Sequence, residues 1–282
     1  MRINLNPDKT PSPGVGFRYS PYGPAYNPGA EYWARVGQEM VSRFPGAITE
    51  IIWIVGILEG QGTHLSFPGG GDEPNVSFSM QDDNQSALDL FDQLGFRVWL
   101  QVEPGDAQVE TLFDLLLARY GNHSCVVGLG VDVEWHHSFK KPEGTPVGDN
   151  EASTWLAAIR KHNPQYRLFL KHWETSMLPP TQHDGILFVD DSQMFRSLDH
   201  MLAEFADWGR HYYPAPVAFQ IGYPADKKWW GKYSDPARTI GEAILKTVPN
   251  AMGLYWVDFT TLEVFPPYPV SNHKQFFRDT GV

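Results

Sequence analysis

Short apolar runs alternate with amphipathic stretches along almost the whole chain. Eight runs are rich enough in β-branched and aromatic residues to read as buried strands: 15–19, 51–58, 96–104, 125–135, 166–173, 185–191, 216–223 and 251–258. Between them, helical periodicity predicts helices over 31–44, 85–94, 108–120, 151–162, 198–212 and 236–248. Leu88, Phe91 and Leu94 recur at helical spacing before Gly95, a natural stop. Asn150 and Asp235 read as N-caps, and Pro236 suits the first position of its helix. The connection 174–184 is too short for a full helix, and 60–72 reads as a Gly-rich loop.

Strands separated by helices imply parallel βαβ units, and eight of them match a single (β/α)8 TIM barrel. A doubly wound open sheet is the competitor. It usually carries a Gly-rich phosphate turn after its first strand, and none follows Tyr19. No linker divides the chain. Residues 1–14 read as a Pro-rich extension and 15–282 as the barrel domain.

Composition narrows the partners. The chain has 282 residues and a formal net charge of −11, so a polyphosphate backbone is a poor ligand and nucleic acid is not expected. No apolar run is long enough to span a membrane, and the first residues lack the apolar core of a signal peptide. Those features fit a cytoplasmic protein, or a secreted one whose signal has been removed. The single Cys125 excludes an internal disulfide and reads as a small core residue. Oligomeric state is not legible.

The chemistry is concentrated where the apolar runs end. In a barrel of this kind the C-terminal strand ends carry function. The groups there are Arg18, Glu59, Glu103, Asp132 with Glu134, Lys171 with Trp173, Asp190 with Asp191, Gln220 with Tyr223, and Trp256 with Asp258. Asp132 and Glu134 follow Val-Val-Gly-Leu-Gly-Val, and i, i+2 spacing in a strand puts both on one face. Carboxyl groups at a buried strand end cost several kcal/mol to desolvate, and their repulsion yields a protonated acid beside a charged base. Glycoside hydrolysis uses that pairing. Glu134 is the candidate general acid, Asp132 its positioning neighbour, and Asp190 or Asp191 the second carboxylate. Adjacent residues face opposite ways, so only one of the latter two enters the lumen. Trp256, Trp173, Tyr223, Gln220, Arg18, Lys171, Glu59, Glu103 and Asp258 are candidate sugar-binding groups. Aromatic residues make up 14% of the chain, which suits sugar stacking as well as core packing. Trp229 and Trp230 read equally as a groove wall or a loop anchor.

The fourth strand resembles that of TIM-barrel glycoside hydrolases of the chitinase type, whose D-x-x-D-x-D-x-E signature ends in the acid. Asp132 and Glu134 match its last two acids, while Val127 and Gly130 occupy the earlier ones. The Asp-x-Glu pair is also similar to that of certain muramidases. The eighth strand, Gly253-Leu254-Tyr255-Trp256-Val257-Asp258, is similar to the chitinase-type strand that places a Trp beneath the sugar. The resemblance implies an O-glycosyl hydrolase acting on a polysaccharide or glycoconjugate, with no cofactor and no metal.

Two other readings use the same residues. A metal-dependent hydrolase or isomerase would draw ligands from Asp132, Glu134, His136, His172, Asp190 and Asp191. Neither an H-x-H after the first strand nor an H-E-x-x-H occurs, and His136 and His137 read as loop residues. A carbohydrate-binding barrel without activity would keep the aromatics and lose an acid, whereas both acids of the fourth strand are present.

Overall fold

The computed structural model describes residues 12–267. Ten strands form one sheet: β1 Gly14–Tyr19, β2 Ile48–Glu59, β3 Gly62–Leu65, β4 Val76–Phe78, β5 Arg97–Val102, β6 Val126–Asp132, β7 Arg167–Lys171, β8 Ile186–Asp190, β9 Val217–Ile221 and β10 Ala251–Val257. Strands β1, β2 and β5 to β10 run parallel in chain order, and β1 pairs with both β2 and β10, which closes an eight-stranded barrel. The outer layer contains α1 Ala30–Val41, α2 Gln85–Leu94, α3 Val109–Tyr120, α4 Asp149–His162, α5 Leu198–Tyr212, the short α6 Lys227–Trp230, α7 Pro236–Thr247 and the short α8 Thr261–Val264.

The apolar runs therefore form the predicted strands, and the (β/α)8 class is observed. Gly95 ends α2 in the left-handed region (φ 66°), and the Asp235 side chain accepts a hydrogen bond from the Arg238 N–H at the start of α7. Asn150 is not an N-cap: α4 begins one residue earlier, after Gly148. Only a one-turn 3-10 helix, Thr175–Met177, spans the β7–β8 connection. The Gly-rich segment is more ordered than expected. It contains β3, which folds back antiparallel on an extended β2, and leads to β4. Thr63 and Leu65 alternate with His64 there, a period-two pattern too short to stand out between glycines. Of the predicted N-terminal extension, residues 1–11 lie outside the described residues, and Gly14 already belongs to β1.

Strand parity sorts the side chains into two cores. A large layer between barrel and helices holds Val15, Phe17, Trp33, Trp53 and Trp256 among many others. A smaller cluster of Ile52, Trp99, Phe169, Leu187, Val189, Ala218 and Tyr255 fills the lumen. Gly128 and Gly130 make room for it: a Cβ at either position would collide with Trp99 or Phe169. These rings plug the middle of the barrel, so polar lumen groups beyond them are confined to the C-terminal mouth.

Gly222, just after β9, has φ 88°, and a Cβ there would overlap the Trp256 indole. Both effects act in the same direction, and Gly222→Ala is expected to lower stability by about 1–3 kcal/mol in urea denaturation. A neutral substitution would mean that this strand end is looser than its packing indicates.

Candidate active site

At the mouth, β6 and β7 pair in register Asp132↔Lys171. The Lys171 ammonium lies 2.9 Å from Asp132 Oδ2 and also donates to Asp191 Oδ2. Gln101 Nε2 donates to Asp132 Oδ2 at 3.3 Å. Lys171, Asp132 and Asp191 are all buried, so their charges interact with little screening. Burial alone would strip the proton from Lys171, but Asp132 and Asp191 outweigh it and raise its pKa well above the usual value. Burial, with repulsion from Asp191, Glu134 and Glu103, lifts Asp132 well above the carboxylate range against the pull of Lys171.

Glu134 follows the strand in the one-turn 3-10 helix Val133–Trp135, so its orientation does not come from strand alternation. It nonetheless lies near Lys171, Asp191, Glu103 and Arg18. It is half-buried and, among the described residues, has no hydrogen-bond or ion-pair partner. Burial raises its pKa first, Lys171 opposes this, and Asp191 and Glu103 add to the rise. A carboxyl with a raised pKa can hold a proton and give it up to an acceptor beside it.

The β1 side supplies a second network. Arg18 Nη1 donates to Asp258 Oδ1 at 2.9 Å and to Ser20 Oγ at 2.9 Å. Asp258 Oδ2 accepts from the Ser20 backbone N–H and, at 2.7 Å, from its hydroxyl. Asp258 is thus saturated and holds Arg18 in place. Glu103 accepts from the Tyr22 hydroxyl and, at 2.8 Å, from the Leu58 N–H. Burial raises the Glu103 pKa in spite of these donors. Tyr223, buried near Asp191, Lys171 and Arg18, donates to Gln220 Oε1 at 2.9 Å. Two cations thus serve five carboxyl groups: Arg18 and Lys171 against Glu103, Asp132, Glu134, Asp191 and Asp258. Such an excess favours keeping at least one proton on a carboxyl. Asp132 Oδ1, Asp191 Oδ1, Gln101 Oε1 and Gln220 Nε2 are buried here without a protein partner, so the mouth retains two-way hydrogen-bonding capacity.

The structure therefore gathers Arg18, Glu103, Asp132, Glu134, Lys171, Asp191, Gln220, Tyr223 and Asp258. It separates four other candidates. Asp190 points to the helix side: its register partner is Phe219 of the outer core, and it lines a cleft with Trp173, Glu204 and Trp208. Trp173 is in that cleft because β7 ends at Lys171 and alternation stops there; its ring stacks on His172. Glu59 sits at the exposed β2–β3 turn, accepting from Ser77 Oγ at 2.7 Å. Trp256 is 0% exposed, packs edge-on against Trp230, and donates to Thr260 Oγ1 at 2.8 Å. It belongs to the barrel–helix layer and has no face for a sugar. Trp229 and Trp230 are buried as well, which makes that pair a loop anchor.

Sequence reasoning missed four participants. Gln101 lies in β5 two residues before Glu103, and Ser20 follows β1 two residues after Arg18, so i, i+2 spacing signals both. Tyr22, 49% exposed in a turn, and Phe259, 39% exposed in the one-turn 3-10 helix Asp258–Thr260, lie where no periodicity operates. They form an aromatic rim, 6.5 Å apart by ring centroids, with the Arg18 guanidinium 4.7 Å from the Phe259 ring. Of the proposed metal donors, Asp132, Glu134 and Asp191 meet around Lys171, Asp190 faces the helices, and the two histidines are engaged elsewhere. His136 approaches Glu151 at 3.6 Å and the Thr145 carbonyl, while His172 accepts from the Glu174 N–H and faces the Glu143 carbonyl.

No protein-family model matches the chain, and no curated protein sequence matches it. Solved structures do share its fold. A putative alpha-L-fucosidase from Bacteroides thetaiotaomicron aligns over 91% of this chain and 91% of its own, with TM-score 0.56 and 10% identity. A Bacteroides uniformis beta-glucuronidase aligns over 87% of this chain and 30% of its own, with TM-score 0.51 and 13% identity. Bacteroides uniformis beta-glucuronidase 2, covalently bound to cyclophellitol-6-carboxylate aziridine, aligns over the same shares with TM-score 0.52 and 12% identity. The chain spans only 35% of the length of two further glucuronidases, from an uncultured Clostridium and from Dictyoglomus thermophilum. The likeness is one of fold: the barrel is of the kind these glycosidases contain. Among the described residues, no helix is long and apolar enough to cross a membrane.

Proposed function

We propose that the protein is a glycoside hydrolase acting on a polysaccharide or glycoconjugate. One observation carries the reading: Glu134, an unpartnered half-buried carboxyl with a raised pKa, stands beside the Lys171-bridged carboxyls Asp132 and Asp191. Glu134 donates its proton to the glycosidic oxygen as the bond breaks. Asp191, ion-paired to Lys171, is the second carboxylate and, with Glu103, repels charge on Glu134 so that the acid keeps its proton; Asp132 positions the pair by sharing the Lys171 ammonium. Gln101 and Gln220, as buried as Trp256, support the acid cluster from within, and the exposed Tyr22–Phe259 rim beside Arg18 replaces Trp256 as the stacking surface. The barrel shared with a putative fucosidase and with glucuronidases supports the class.

Release of reducing ends from a panel of glycans, with and without EDTA, tests the reading. EDTA-resistant turnover on one glycan class is expected. Binding of a glycan without turnover would favour a carbohydrate-binding barrel, and loss of turnover with EDTA would favour a metal-dependent hydrolase.

A further inference from the structure

The opposite, N-terminal end of the barrel holds a cavity of about 470 Å³. Its charged lining is Glu50, Arg97 and Arg167, Ser12, Tyr213 and Asn250 add neutral polar groups, and its walls include Leu187, Met252 and Pro216. Glu50 is buried and fully committed: Oε1 accepts from the Tyr255 hydroxyl at 2.6 Å, and Oε2 pairs with Arg97 at 3.0 Å. The carboxyl fits only because residue 14 is glycine, since a Cβ there would overlap it. Arg167 is left over. Among the described residues it has no hydrogen-bond or ion-pair partner, only the Trp99 ring 5.4 Å beneath its guanidinium. Burial pulls its pKa below the usual value; Glu50 and Tyr255 resist this, while Arg97 and Arg160 reinforce it.

We propose that this cavity binds a small organic anion, a carboxylate or phosphate on an apolar body, through the guanidinium of Arg167. Two cations against one committed carboxylate leave the lining with a positive charge in a protein of net charge −11. A guanidinium lying over an aromatic face keeps its N–H edge available for a bidentate anion. The proline and aliphatic walls supply the apolar contact that an inorganic ion would not use. The lumen rings Trp99, Phe169 and Tyr255 separate this end from the carboxyl-lined mouth, so the site is independent of the proposed hydrolysis.

Calorimetric titration with benzoate, phenyl phosphate and neutral benzamide tests the assignment on wild type, Arg167→Gln, Met252→Trp and Glu134→Gln. Saturable binding of at least one anion is expected, with benzamide silent and Glu134→Gln unchanged. The stronger of the two anions identifies the headgroup. Arg167→Gln should weaken binding by roughly tenfold or more. Met252→Trp, which fills the cavity without altering its charge, should abolish it and keeps the test open if Arg167→Gln fails to fold. The proposal is overturned if neither anion binds, if benzamide binds equally well, or if both cavity variants bind like wild type.

Discussion

Glu134→Gln is expected to lose ~10²–10⁴-fold in turnover on its glycan, with unfolding close to wild type. The amide preserves the shape of the side chain and cannot donate a proton to a leaving alkoxide. Glu134 has no hydrogen-bond partner to lose, so the fold has little reason to notice the change. Where it ionises it stands among like charges, and the amide removes that repulsion with Asp191 and Glu103. The pH profile follows from the same arrangement. A general acid works protonated, so wild-type activity should fall as pH rises through the elevated Glu134 pKa. That limb should disappear from the residual activity of Glu134→Gln. Initial rates across pH for both proteins check this, and an unchanged alkaline limb in the variant would assign it to another group.

Lys171→Met should have the largest effect on stability, a loss of about 3–5 kcal/mol near pH 8. The ammonium is the shared counter-charge of two buried carboxyl groups, and methionine fills its volume without neutralising either. The pH dependence is distinctive. The folded-state pKa of Asp132 is raised, so its contribution to stability is complete below the unfolded value of about 3.9 and is lost as pH rises through the folded value. Removing Lys171 removes the chief influence that holds this pKa down, and moves that loss to higher pH. The deficit of Lys171→Met should therefore shrink between about pH 8 and about pH 5 as the buried carboxyls take up protons. Urea denaturation at both values measures it. An equal deficit at both would mean that packing, and not buried charge, is what the substitution disturbs.

Much of this architecture is legible in the sequence because barrel strands are buried on both faces and read as continuous apolar runs. The same property hides orientation. In β10 both parities are apolar, so i, i+2 spacing links Trp256 to Asp258 without saying which side they take. The observed register pairs Trp256 with Phe17, in the helix-facing layer, and Tyr255 with Gly16, in the lumen. Asp258 still reaches the mouth because the chain leaves the strand into a 3-10 turn at that residue. Glu134 gains its position the same way, one turn beyond the end of β6. Alternation thus finds residues inside a strand, such as Lys171 and Gln220, carries to Ser20 and Glu103 just past β1 and β5, and loses predictive value where the chain turns at once, as after β6, β8 and β10. Asp191 illustrates both sides: its partner Lys171 reveals that it faces inward, and nothing in Phe-Val-Asp-Asp does. Tyr22 and Phe259 are set by loop closure over Arg18, a tertiary event with no local pattern.

The most direct measurement compares two glycosides of the responsive sugar, one with a dinitrophenyl leaving group and one with a simple alkyl leaving group, on wild type and Glu134→Gln. Dinitrophenolate departs without protonation, whereas an alkoxide requires an acid. The variant is expected to keep most of its rate on the aryl substrate and to lose it on the alkyl one. An equal loss on both would contradict the assignment of Glu134 as the proton donor.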